Sequence, residues 1–220
     1  VKAELISITT DTHPLDGLYY EPPDGRPEQH VAQLFHGNTM NFYVGHNRFM
    51  PPALAAKGIA ALAYNRRGHG ILSIRDSRDV EGAALQLTNE ALADNRYART
   101  WLMARGHAAP VCIGHSNGGT LAVRHVADHP DTPALVLLSA HVGGRDVVPI
   151  ASRNGLFGRD RLPEMLADAE QRMADGRGDE LMLMPGWYWV TTPRSILDYA
   201  SNLPHILEDA PRISCPVLFL

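Results

Sequence analysis

Strand and helix signals alternate along this 220-residue chain, and the alternation predicts an α/β architecture with a mostly parallel sheet and helices on both faces. Two further observations support it. Short apolar runs such as Ile59 to Tyr64, Ala109 to Ile113 and Ala134 to Leu138 read as buried strands. The run Gly114-His115-Ser116-Asn117-Gly118-Gly119 stands between one of these strands and a helical pattern carried by Leu121, Ala122 and Val126.

In chain order, Ala3 to Thr10 and Gly17 to Glu21 predict a hairpin with His13-Pro14 in its turn. Pro22 to Glu28 is a polar loop, and Val31 to Phe35 is a short strand running into His36-Gly37-Asn38. A helix around Pro52 to Lys57 ends at Gly58, a residue suited to the left-handed turn that closes a helix. Ile59 to Tyr64 is the next strand and leads into Asn65-Arg66-Arg67-Gly68. Leu87, Ala91, Ala98, Trp101 and Leu102 mark one side of a long helix closed by Gly106, and the strand before Ser116 follows. Ala134 to Leu138 leads into Ser139-Ala140-His141, and Pro216 to Leu220 begins one more strand. In a parallel sheet the residues after each strand gather at one edge, where ligands bind.

Composition narrows the function classes. With 45% apolar residues the chain can bury a full core as one sizeable domain. A formal net charge of -4 and the lack of any basic block argue against a nucleic-acid or anionic-membrane partner, so a small neutral or apolar ligand is expected. Apolar stretches such as Ala134 to Ala140 fall short of the roughly 18 residues of a membrane helix. No signal-peptide pattern opens the chain, and the expected compartment is the cytoplasm. Cys112 and Cys215 have no metal-ligand spacing and read as buried reduced thiols. The histidines likewise show no metal spacing, and no cofactor is implied. The first residue is Val, so the natural N-terminus is expected to lie upstream.

Ser116 carries the chemistry. A chain that reverses from strand to helix within two residues forces the residue at the apex into a strained conformation. That is tolerable only where the residues two before and two after lack bulk, as Gly114 and Gly118 do. The turn holds the hydroxyl above the strand end, near the free N–H groups of the new helix.

Between Val142 and Arg212 no strand is evident. Leu162, Met165, Leu166, Ala169 and Met173 define an amphipathic helix, and Gly186-Trp187-Tyr188-Trp189 follows the run Leu181 to Met184. The segment reads as a helical lid whose Met and aromatic side chains, Trp187 and Trp189 among them, wall an apolar pocket. The organisation expected is therefore a core over residues 1–141, a cap over 142–212 and a return to the core sheet over 213–220.

These residues resemble the α/β-hydrolase superfamily, in particular its serine-dependent esterase and lipase-like members with a cap. The motifs are strand-His36-Gly37, Asn65-Arg66-Arg67-Gly68-His69-Gly70 with Ser73 shortly after, the Gly114 to Gly119 turn, the cap, and Cys215 to Leu220. The resemblance implies the α/β-hydrolase fold, Ser116 as nucleophile, and the backbone N–H groups of Asn117 and Asn38 as oxyanion donors. Each such donor is worth about 10²–10³ in rate. The serine sets the chain apart from family members that use an aspartate nucleophile. Asn65 departs from the more usual aspartate at the head of its loop, where Arg67 is read as tying the strand end to its neighbours.

In the family a Gly-x-x-Asp after the strand at Pro216 to Leu220 supplies the acid, and a later histidine supplies the base. Both are expected beyond Leu220, so the chain is expected to be a fragment of a longer protein, the alternative being a defective domain. His141 is the best internal candidate for a base and is better suited to the pocket; His115 points away from the serine, and His36 is expected to brace its own loop. The function expected is hydrolysis of a carboxylic ester or related acyl substrate through an acyl-enzyme. Acyl transfer or carbon-carbon bond hydrolysis at the same site is the enzymatic alternative, and a noncatalytic ligand-binding role is the alternative of another class.

Overall fold

The computed structural model describes residues 1–23, 30–70, 81–186 and 189–220. Strands β1 (Lys2–Ile8) and β2 (Leu15–Glu21) pair antiparallel, with Lys2 opposite Glu21 and Ile8 opposite Leu15. Strand β3 (Val31–Phe35) follows, then helix α1 (His46–Ala55) and strand β4 (Ala60–Tyr64). Every residue of β3 and β4 is buried, as expected of strands covered on both faces. Helix α2 (Thr88–Ala104), strand β5 (Val111–His115), helix α3 (Asn117–Asp128) and strand β6 (Leu135–Leu138) complete the first part of the chain.

Helix α1 starts earlier than its prolines suggest. Pro51 and Pro52 lie inside it, and the helix begins at His46 because His46 and Asn47 are buried against the core. Proline removes one ladder bond in a helix interior, and here tertiary burial of the first turn outweighs that cost.

After β6 come helices α4 (Val147–Arg153) and α5 (Leu162–Ala174). Next are strands β7 (Met182–Met184) and β8 (Trp189–Thr191), helices α6 (Pro193–Asn202) and α7 (Ile206–Asp209), and strand β9 (Val217–Phe219). The expectation of no strand between Val142 and Arg212 is corrected here: β7 and β8 form a separate antiparallel pair, Met182 opposite Thr191 and Met184 opposite Trp189. Three-residue strands are too short to show an alternating pattern, so only their pairing reveals them. Met182 and Met184 point into a cluster with Phe157, Leu162, Ala169 and Ile196. They fill the core of this segment.

The main sheet runs β1-β2-β4-β3-β5-β6-β9. It is antiparallel at the β1, β2 and β4 pairings and parallel from β4 through β9. On one side, α2 packs Ala98 and Leu102 against Ile8, Tyr19, Leu62 and Tyr64. Helix α3 packs Ala122, Val123 and Val126 against Phe35, Cys112, Leu135 and Leu137. A buried Gln33 in the middle of β3 would be costly alone; its amide donates to Tyr64 Oη at 3.1 Å and to the carbonyl of Asn95 at 2.9 Å. Cys112 and Cys215 are free thiols, Cys112 fully buried and Cys215 only partly so, ahead of β9. No helix among the described residues is long and apolar enough to cross a membrane.

Candidate active site

Ser116 occupies the turn between β5 and α3 with φ 52° and ψ -125°, a conformation that costs an L-residue of order 1–3 kcal/mol. Its neighbours hold it there. The Ser116 N–H donates to the Leu138 carbonyl at 3.0 Å, extending the β5–β6 ladder, and its own carbonyl accepts from Gly119 N at 2.9 Å to start the helix. The glycines on either side of it answer a spatial demand. A Cβ on Gly114 would stand 2.6 Å from the Gly118 carbonyl oxygen and from Gly119 Cα, and one on Gly119 would meet Ala140 Cβ at 2.6 Å. Asn117 opens α3, so its N–H is among those a helix leaves without an intrahelical acceptor.

The loop after β3 lies alongside. His36 is fully buried and braced at both ring nitrogens: Nδ1 donates to the Gly37 carbonyl at 2.8 Å and Nε2 accepts from Arg66 N at 3.1 Å. Burial, reinforced by the Arg66 charge, holds its pKa well below the ordinary imidazole value. Arg66 Nη1 donates to the His36 carbonyl at 2.8 Å. Asn38 follows, and Thr39 after it has φ 57°, a left-handed conformation uncommon for a residue with a branched side chain. The next loop is pinned by Arg67, whose Nε and Nη2 bond Asp94 Oδ1 at 2.9 and 2.7 Å while its N–H bonds Asp94 Oδ2 at 2.7 Å.

The Asn38 side chain links two other elements. Asn117 Nδ2 donates to Asn38 Oδ1 at 2.7 Å, and Asn38 Nδ2 donates to Tyr199 Oη at 3.1 Å. Sequence reasoning did not single out Tyr199. Thr192-Pro193 is a helix-start signal that locates α6, and the Thr192 side chain does accept from Ser195 N at 3.2 Å, but nothing in the sequence ties that helix to Asn38.

Beside these residues is a cavity of about 40 Å³ lined by Asn38, Asn117, Leu121, Trp189, Tyr199 and Leu203 among others. Such a space holds a few waters at most. Trp189 packs on Phe157 with ring centroids 4.4 Å apart and on Tyr199 at 6.0 Å, so it both walls the cavity and holds the segment together. Trp187, Tyr188 and Ser73 lie outside the described residues. A larger space of about 430 Å³ opens between the β1–β2 turn and the Asn65 to Gly70 loop, away from Ser116.

Of the histidines, His69 lines the small cavity, with its Nδ1 3.1 Å from the Arg67 carbonyl. His141 is not among the described residues lining the small cavity; Thr120 Oγ1 donates to its carbonyl at 2.8 Å and lies 3.3 Å from its Nδ1, and burial lowers its pKa to about 4. The His115 ring lies 5.0 Å from that of His46. The Ser116 hydroxyl forms no hydrogen bond among the described residues. No group of three or more His, Cys, Asp or Glu side chains among them is arranged to hold a metal ion.

Comparison with known proteins agrees with the fold. A family model described as the alpha/beta hydrolase family matches residues 34–220. Among solved structures, Est1E from Butyrivibrio proteoclasticus superposes with a TM-score of 0.67 at 15% identity, covering 98% of this chain and 76% of that one. An esterase from Pyrococcus furiosus gives 0.62 at 17% identity, covering 99% and 69%. The hydrolase GrgF from Penicillium sp. sh18 gives 0.68 at 12% identity, covering 100% and 90%. No curated protein matches by sequence. With a strained strand-to-helix turn at Ser116, a mixed sheet that is parallel over most of the described strands and a family match over residues 34–220, the chain belongs to the alpha/beta hydrolase family.

Proposed function

We propose that this protein is a serine hydrolase that cleaves a small carboxylic ester or related acyl substrate through an acyl-enzyme. The observation that carries the reading is the backbone of Ser116, strained at φ 52° between β5 and α3. A serine in a sequence-tolerant loop would relax; this one is held with its hydroxyl at the sheet edge. In this reading Ser116 Oγ attacks the acyl carbon, its proton passes to a general base, and the charge that develops on the carbonyl oxygen is met by the N–H groups of Asn117 and Asn38. The alkoxide leaving group takes that proton, and water then releases the acid by the reverse sequence.

The segment from Val142 to Arg212 acts as the cap, and residues 1–141 with 213–220 form the hydrolase core. Trp189 and Leu203 supply apolar wall next to Asn38 and Asn117, which suits a short acyl group. The description of the Pyrococcus furiosus neighbour as an esterase is in keeping with this. Treatment of the full-length protein with a fluorophosphonate probe should label Ser116 and no other serine, and Ser116→Ala should abolish both labelling and ester turnover. A label placed elsewhere, or none on the folded protein, overturns the proposal.

A further inference from the structure

Three side chains from distant parts of the chain form one hydrogen-bonded line: Tyr199 on α6, Asn38 after β3, and Asn117 at the start of α3. Asn38 and Asn117 are the two residues whose backbone N–H groups are assigned to the oxyanion. Turning both amides end for end leaves the line intact, with the phenol then donating instead of accepting, so the connection does not depend on how the amide atoms are assigned.

The Tyr199 end of the line is anchored. Its ring packs edge-on against Phe157 at 6.1 Å and Trp189 at 6.0 Å. The preceding residue, Asp198, accepts from Thr88 N at 2.7 Å and so ties α6 to the first turn of α2. Burial raises the phenol pKa to about 12, which keeps its proton on throughout the neutral range. The Asn38 end needs an anchor. Arg66 braces the loop two residues earlier, at the His36 ring and carbonyl, and Thr39 stands at φ 57° immediately after Asn38. Released from its side-chain bonds, Asn38 would be less restrained, and the peptides on either side of it, its own N–H included, could shift.

We propose that Tyr199 is a positioning residue for the oxyanion site: its hydroxyl holds Asn38, and through Asn38 it steadies Asn117, so the seating of the α6 segment sets the aim of both backbone donors. The proposal rests on the serine hydrolase reading above. Its consequence is that removing one hydroxyl from the α6 segment weakens transition-state binding and leaves substrate binding nearly untouched.

The test is Tyr199→Phe in the full-length protein, which keeps the ring contacts and deletes only the hydroxyl. On a short acyl ester, kcat should fall about 3- to 10-fold, the size expected for one hydrogen bond, with KM within twofold and the thermal midpoint nearly unchanged. Affinity for an alkyl boronic acid, which forms a tetrahedral adduct on the serine, should fall by the same factor. In an Asn38→Ala background the same change should have no further effect on kcat, because the line is already broken. Unchanged kcat and boronate affinity overturn the proposal, as does a rise in KM alone, or full additivity with Asn38→Ala. If Tyr199→Phe does not fold, Asn117→Ala interrogates the line from its other end, with the same expected fall in kcat and the same overturning results. Failure of Ser116→Ala to abolish turnover would defeat the hydrolase reading itself; a silent Tyr199→Phe in an enzyme that needs Ser116 defeats only the positioning role.

Discussion

Gly118 lies so close beneath the end of β3 that a side-chain carbon on it would stand 2.4 Å from the carbonyl oxygen of His36 and 2.3 Å from that of Phe35. Backbone atoms of a central strand cannot move aside cheaply, so Gly118→Ala must push α3 away from β3. That displacement separates Asn117 from Asn38 and costs about 1–3 kcal/mol or more in stability. Urea unfolding should show the midpoint falling, and fluorophosphonate labelling of Ser116 should slow in the fraction that remains folded. A variant with wild-type stability and labelling rate would show that the elbow is looser than these contacts require.

Trp189 forms part of the small cavity and also packs on Phe157 and Tyr199. Trp189→Ala should therefore do two things in the full-length enzyme. It should lower the thermal midpoint, and it should raise kcat/KM for longer acyl esters relative to short ones by about tenfold, within the roughly 1–3 kcal/mol available from such a wall. Comparing acetate, butyrate and hexanoate esters measures it. Unchanged selectivity with only a lower midpoint would make the tryptophan a packing residue alone.

Burial holds His141 at about 4 and His69 at about 3, both below the ordinary imidazole value of 6.5. Between those values and 6.5 the unfolded chain binds protons that the folded one refuses. Their contribution to stability is therefore complete above about pH 6.5 and is lost as pH falls toward 4. For one histidine near 4 the loss at pH 5 is on the order of 2 kcal/mol. Urea midpoints measured at pH 7 and pH 5 should show this decline, and His141→Gln should make it shallower. A stability that stays level or rises as pH drops to 5 would mean these rings are hydrated in solution.

The sheet was legible because long apolar runs and glycine breaks survive as local signals. The strands at Val31 to Phe35 and Ala60 to Tyr64 are buried along their whole length, so each is an unbroken hydrophobic stretch in the sequence. The β7–β8 pair was not legible, since three residues per strand carry no period and only the partner strand defines them. Helix α1 was misplaced at its start because the prolines dominate the local signal while the burial of His46 and Asn47 is decided by the sheet beneath them.

The same division runs through the candidate site. Ser116, with glycines two residues to either side, is a local arrangement, and the steric cost of a tight strand-to-helix turn writes it into consecutive residues. The sequence by itself therefore determined the α/β class, the turn and the candidate nucleophile. The line from Tyr199 through Asn38 to Asn117 joins residues separated by 161 and 79 positions, and a hydrogen bond between polar side chains imposes no pattern on the residues around either partner. Only the tertiary structure decided it, because contact between distant elements depends on where the packed helices put them and not on any periodicity along the chain.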